Sequence, residues 1–132
     1  MASVNKIRLL IADDNAGYRY ALRGILKEHS TLEIVGEAID GEDAILRAQE
    51  LRPTIVLMDI NMPKLDGITA TRRIRAQYKD ITVIGLSVHK DREFVDAMVD
   101  AGAAELLAKE NATEELYGAI ERAMARTKKP SS

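Results

Sequence analysis

The sequence predicts an α/β domain in which five strands alternate with five helices on one parallel sheet. Short apolar runs alternate with segments whose apolar residues recur every three or four positions, the two signatures of a buried strand and an amphipathic helix. The links between them are too short for anything but right-handed crossovers.

The strands are expected at residues 7–12, 32–36, 55–58, 81–86 and 104–108. The first helix is marked by Tyr18, Ala21, Leu22, Ile25 and Leu26, and the second by Ala44, Ala48 and Leu51. Residues 68–78 form the least regular helix, with Ile68, Ala70, Ile74 and Tyr78 on one face. Phe94, Ala97, Met98 and Ala101 mark the fourth, and Leu116, Ala119, Ile120, Ala123 and Met124 the fifth. Asn111 with Glu114 three residues later predicts a cap and a first-turn acid for that last helix. Met58, Met62 and Met98 read as core or near-core filler.

The 132 residues suit one domain, expected over residues 1–127 with a tail or linker start over 128–132. A 46% hydrophobic content supports a core, yet no run is long enough to span a membrane. There is no cysteine, which excludes disulfides and thiolate metal sites and agrees with a cytoplasmic location. A net charge of −2 with both signs interspersed gives no footprint for nucleic acid.

Asp59 closes the apolar run Thr54-Ile55-Val56-Leu57-Met58, and Pro63 and Gly67 stop any continuation, so its carboxylate belongs at the strand's carboxyl end. Asp13 and Asp14 follow the first strand, Ser87 ends the fourth and Lys109 ends the fifth. In a doubly wound sheet with the first and third strands adjacent, these ends line one crevice. Three carboxylates that close repel unless a cation sits among them, and oxygen-only ligation suits Mg²⁺. A carboxylate beside Mg²⁺, an ammonium and a hydroxyl is equipped to attack a phosphoryl group and have the new charge neutralised.

Taken singly, each residue has an ordinary explanation. Asp13 or Asp14 would cap the first helix, Asp66 with Gly67 would start the third, Ser87 would be a loop hydroxyl and Lys109 a surface lysine. Their joint placement at strand ends, with almost no charge inside the strands, favours a site.

Together, Asp13-Asp14, Asp59 with Met62-Pro63 and Asp66-Gly67, Ser87, Ala101-Gly102-Ala103 and Lys109 resemble the receiver domain of bacterial response regulators, over nearly the whole chain. The resemblance implies a flavodoxin-like three-layer sandwich with strand order 2-1-3-4-5. It implies that Asp59 takes a phosphoryl group from a phosphohistidine on a sensor histidine kinase or phosphotransfer protein. Asp13 or Asp14, Asp59 and the Asn61 carbonyl would hold Mg²⁺, while Ser87 and Lys109 would bind the phosphoryl oxygens. Asn61 and His89 would flank the path of the water that hydrolyses the acyl phosphate. The domain would be a phosphoacceptor and not an enzyme, promoting only its own phosphorylation and dephosphorylation, although a parent chain could be a hybrid histidine kinase. Its output would be a changed surface, a candidate homodimer or partner face, around the fourth and fifth helices and fifth strand, flanked by Val95, Val99 and Tyr117.

Two departures stand out. The family usually has an aromatic residue three positions before the lysine, where this chain has Leu106, and often a proline after it, where this chain has Glu110. Leucine is smaller and lacks a polar tip, so it is expected to stay packed rather than to swing. Glu110 and the stretch Ile84-Gly85-Leu86-Ser87-Val88-His89 resemble receivers of helix-turn-helix regulators and hybrid sensor kinases, from which such a module could be excised. A haloacid dehalogenase-type phosphatase would need a second acid where Asn61 stands. A flavodoxin-type carrier would need a glycine- and hydroxyl-rich phosphate loop in place of Asp13-Asp14-Asn15.

Overall fold

The structure is a computed structural model and describes residues 6–88 and 91–127. The elements run β1 (Ile7–Ala12), α1 (Ala16–Leu26), β2 (Leu32–Ala38), α2 (Gly41–Leu51), β3 (Ile55–Asp59), α3 (Gly67–Gln77), β4 (Thr82–Ser87), α4 (Arg92–Ala101), β5 (Glu105–Ala108) and α5 (Ala112–Thr127). All strand pairs are parallel, in the order β2-β1-β3-β4-β5. Both the element types and the strand order agree with the expectation.

Two apolar layers hold the sheet between helices. On one face, Leu22 and Leu26 of α1 and Leu116, Ala119 and Ile120 of α5 pack on Leu9, Ile11, Leu57 and Leu86. On the other, Ala44 and Ala48 of α2, Ala70 and Ile74 of α3 and Met98 of α4 pack on Leu10, Val56, Met58 and Val83. Successive strand residues point to opposite faces, so a strand covered on both sides reads as an unbroken apolar run. Burying each large side chain contributes about 1.5–3 kcal/mol. Met62 is only partly buried, while Met58 and Met98 are fully so.

The helix ends explain which acids are left over for chemistry. Asn15, not Asp13 or Asp14, caps α1, its side chain accepting from the Tyr18 amide at 2.8 Å. Asp40 caps α2 and Asp66 caps α3, accepting from the Asp43 and Thr69 amides at 2.8 Å each. Gly102 ends α4 at φ 111°, a left-handed conformation that side chains with a Cβ rarely adopt. A 3-10 turn over Lys109–Asn111 leads straight into α5, which starts right after Asn111 and carries Glu114 in its first turn as expected. The turn closes with the Ala112 amide donating to the Lys109 carbonyl. β2 runs two residues beyond its expected end because it pairs with β1 as far as Ala38 opposite Ala12.

Candidate functional site

The site lies at the carboxyl ends of β1, β3, β4 and β5. Ala12 pairs with Met58, which sets Asp13 next to Asp59, and the Asp13 amide donates to the Ala38 carbonyl at 3.0 Å. Asp59 pairs with Leu86 and Ser87 with Ala108, so Ser87 and Lys109 each lie one residue past these pairs. Ser87 is fully buried, as are Asp13 and Asp59 at 1% and 3% exposure, whereas Asp14 is exposed. One carboxylate oxygen each from Asp13, Asp14 and Asp59 falls within 4.8 Å of the others.

Lys109 ties the acids together. Its Nζ donates to Asp13 Oδ2 at 2.6 Å and lies 3.5 Å from Asp59 Oδ1, with its side chain 15% exposed. The other Asp13 oxygen accepts from the Asn15 amide at 2.8 Å, and Asp59 Oδ1 accepts from the Asn61 amide at 3.2 Å. Behind this, Arg19 donates to the Asp13 carbonyl at 2.7 Å and pairs with Glu37 at 2.7 Å, bracing α1 against β2.

Burial, and secondarily the Asp13 charge, pushes the Asp59 carboxyl up to about 6, against the opposing pull of Lys109 and the Asn61 amide. One ammonium therefore does not neutralise the acids. This is a donor set of oxygens that fits a hard divalent cation such as Mg²⁺. Because the Asp59 value is higher in the folded than in the unfolded chain, it favours folding below about pH 4, and that contribution is lost as pH rises through about 6. In EDTA, the melting temperature should fall across this window. Added Mg²⁺ should shrink the fall, and thermal melts at several pH values with and without the metal measure both.

Asp13, Asp59, Ser87 and Lys109 stand at or one residue past their strand ends, Asp14 and Asn61 lie two residues past theirs, and His89 lies outside the described residues. Asn61 is exposed and takes part through its amide. Leu106 is half-buried in the α2–α3–α4 layer, and its Cδ1 fills the space over Gly85 that a side chain there would need, at 2.8 Å from the position of a Cβ. It is packed inward, as its size predicts. Tyr117 is not on the expected partner face: its ring stacks on His29 beyond α1, with centroids 3.9 Å apart, because two flat rings at the α1–α5 seam bury each other's faces. Val99 of α4 is 54% exposed, and on the neighbouring elements the Glu105 carboxylate of β5 is held by Arg122 at 2.8 Å and Arg126 at 3.2 Å of α5.

One participant was not legible. Tyr18 reads in sequence as part of the apolar stripe of α1, and it does pack against that layer, but its ring also covers the Lys109 ammonium, 4.4 Å from the centroid. Ninety-one positions separate the two, so no local pattern announces the contact.

The profile of the response regulator receiver domain matches residues 9–121. The chain belongs to this family. It is 37% identical over 116 residues to the transcriptional regulatory protein DegU of Brevibacillus brevis, covering 88% of this chain and 49% of DegU. It is 42% identical over 106 residues to a protein-glutamate methylesterase/protein-glutamine glutaminase of Alkalilimnicola ehrlichii, covering 79% of this chain and 27% of that protein. The receiver domain of the response regulator NarL from Mycobacterium tuberculosis superposes with a TM-score of 0.86 at 27% identity, covering 92% of this chain and 99% of that one. The chain thus spans about half the length of DegU and about a quarter of the methylesterase. Among the described residues, no helix of this receiver is long and apolar enough to cross a membrane.

Proposed function

We propose that Asp59 is the phosphoryl acceptor of this receiver, with Lys109 and Ser87 binding the phosphoryl oxygens and Asp13, Asp14, Asp59 and the Asn61 carbonyl holding Mg²⁺. The observation that carries this reading is the ammonium of Lys109 set between Asp13 and Asp59, within a trio of carboxylates it does not neutralise. In transfer from a phosphohistidine of a sensor kinase or phosphotransfer protein, an Asp59 oxygen forms the new O–P bond while the N–P bond breaks and imidazole leaves. The metal would supply charge neutralisation to the phosphoryl oxygens and to the carboxylates together. Lys109 adds a second positive charge on the protein side, and the Ser87 hydroxyl is a donor at the end of the neighbouring strand. Because Asp59 is buried, water reaches it poorly, which favours a carboxylate that reacts with a bound phosphoryl donor over one that is merely solvated.

The receiver unit is residues 1–127, and the reading places it in the cytoplasm with the kinase domains that would supply its phosphoryl group. The relatives carry different outputs, gene regulation by name in one and an esterase by name in the other, so receiver likeness selects neither. The α4–β5–α5 surface, with Val99 exposed, is the proposed partner or dimer face.

The test is incubation with acetyl phosphate and Mg²⁺ followed by intact-mass measurement. One phosphoryl group should be added per chain, removable by hydroxylamine, and EDTA should prevent it. Uptake that ignores EDTA, or a hydroxylamine-stable adduct, would contradict an acyl phosphate formed at this acidic site.

A further inference from the structure

We propose that Tyr18 is a positioning residue that holds Lys109 in register with the acidic site through its ring. The inference rests on the reading of Asp59 as acceptor. Lysine carries its charge on a flexible four-carbon stem, so an ammonium that must meet a phosphoryl group needs something besides its backbone to fix it. Asp13 supplies one restraint at 2.6 Å, but Asp13 is also in the acidic trio that a cation would share. Tyr18 supplies another that survives such sharing. Its ring faces the ammonium at 4.4 Å from the centroid, within the range of a cation–π attraction, and its hydroxyl donates a long 3.4 Å bond to the Lys109 carbonyl.

The placement follows from the first turn of α1. Asn15 caps the helix by accepting from the Tyr18 amide itself, and Arg19 anchors the next residue to the Asp13 carbonyl and Glu37. The backbone on both sides of Tyr18 is therefore fixed to the loop that carries Asp13. Its ring and Lys109 share the wall of an open cleft of about 560 Å³ with Ala21 and Val88, so without the ring the ammonium faces water on that side. Burial and the Asp13 and Asp59 charges push the Tyr18 hydroxyl up to about 12, which keeps the ring neutral. Leu106 is packed inward and leaves Tyr18 as the aromatic ring that touches the lysine among the described residues.

The test uses acetyl phosphate, a donor too small to dock on α1, so that a changed rate reports the site and not partner binding. With saturating Mg²⁺, Tyr18→Leu should lower the rate constant of phosphorylation about three- to tenfold, and Tyr18→Phe, which keeps the ring, should recover most of the loss. In a Lys109→Ala background, Tyr18→Leu should cause no further loss, because the ring would have nothing to hold. Without any donor, the Lys109 ε-methylene proton resonances should lie upfield in the wild type and in Tyr18→Phe, and move downfield in Tyr18→Leu. If Tyr18→Leu unfolds, as thermal melts would reveal, Tyr18→Met carries the same comparisons. An unchanged rate in the leucine variant, or an equal loss in the Lys109→Ala background, overturns the proposal. If the wild type takes up no phosphoryl group, the acceptor reading fails instead, and the ring-current comparison still decides whether Tyr18 holds Lys109.

Discussion

Asp59→Asn should take up no phosphoryl group from acetyl phosphate, a fall on the order of 10³-fold or more in incorporation. The amide keeps the size of the carboxylate and can still accept from the Asn61 amide, so the strand end should not rearrange. It loses the nucleophilic oxygen and the negative charge that Mg²⁺ and Lys109 require. The variant has an opposite effect on stability. Burial and Asp13 raise the Asp59 carboxyl to about 6, so ionised Asp59 opposes folding at neutral pH when no metal is present. In EDTA at pH 7.5, Asp59→Asn should melt higher than the wild type, and the pH dependence expected between about 4 and 6 should flatten. Stoichiometric, hydroxylamine-labile labelling of the variant would move the acceptor elsewhere. A lower melting temperature in EDTA would show that the carboxylate is better satisfied than its surroundings indicate.

Gly67→Ala should cost about 3 kcal/mol or more, because overpacking against backbone finds little room to relax. A Cβ at Gly67 would sit 2.0 Å from the Asp59 carbonyl oxygen and 2.9 Å from the Ile60 Cα. Those are main-chain atoms at the site itself, tied by the bonds Gly67 N–H to the Ile60 carbonyl at 2.7 Å and Ile60 N–H to the Leu86 carbonyl at 3.1 Å. The clash can be relieved only by moving α3 or the end of β3. A melting temperature lower by roughly 10 °C is expected for a domain of this size, together with slower phosphorylation as Asp59 is displaced. Gly24→Ala is the control: nothing lies within 4 Å of its Cβ position in the middle of α1, and alanine there should stabilise by about 0.5–1 kcal/mol. Denaturant unfolding of the two variants beside the wild type measures both. Gly67→Ala with wild-type stability and rate would mean that the loop after β3 is far more compliant than its hydrogen bonds suggest.

Much of the acidic site is legible because strand ends are. Asp13, Asp59, Ser87 and Lys109 each follow or close an apolar run, and a run covered on both faces must stop where a polar residue meets water or a ligand. The helix caps are less legible, since aspartate and asparagine serve equally well. Asp13, Asp14 and Asn15 are consecutive candidates for α1, and only the chain's path shows that Asn15 takes the cap and leaves both acids to the site. The 3-10 turn over Lys109–Asn111 was not legible either, because no residue type there excludes a direct helix start.

The sequence alone determined the number and type of elements and the residues that stand at the strand ends. Periodicity is a local property: each helix or strand must bury one face or both, and the pattern records that requirement residue by residue. Tertiary structure alone decided which of those end residues touch. It put Lys109 against Asp13 at 2.6 Å and farther from Asp59 at 3.5 Å, laid the Tyr18 ring on the ammonium, and turned Tyr117 onto His29. Contacts between residues tens of positions apart depend on how the helices seat on the sheet and which rotamers the packing admits. That seating is fixed by the summed shape of many side chains, of which no single segment carries a record.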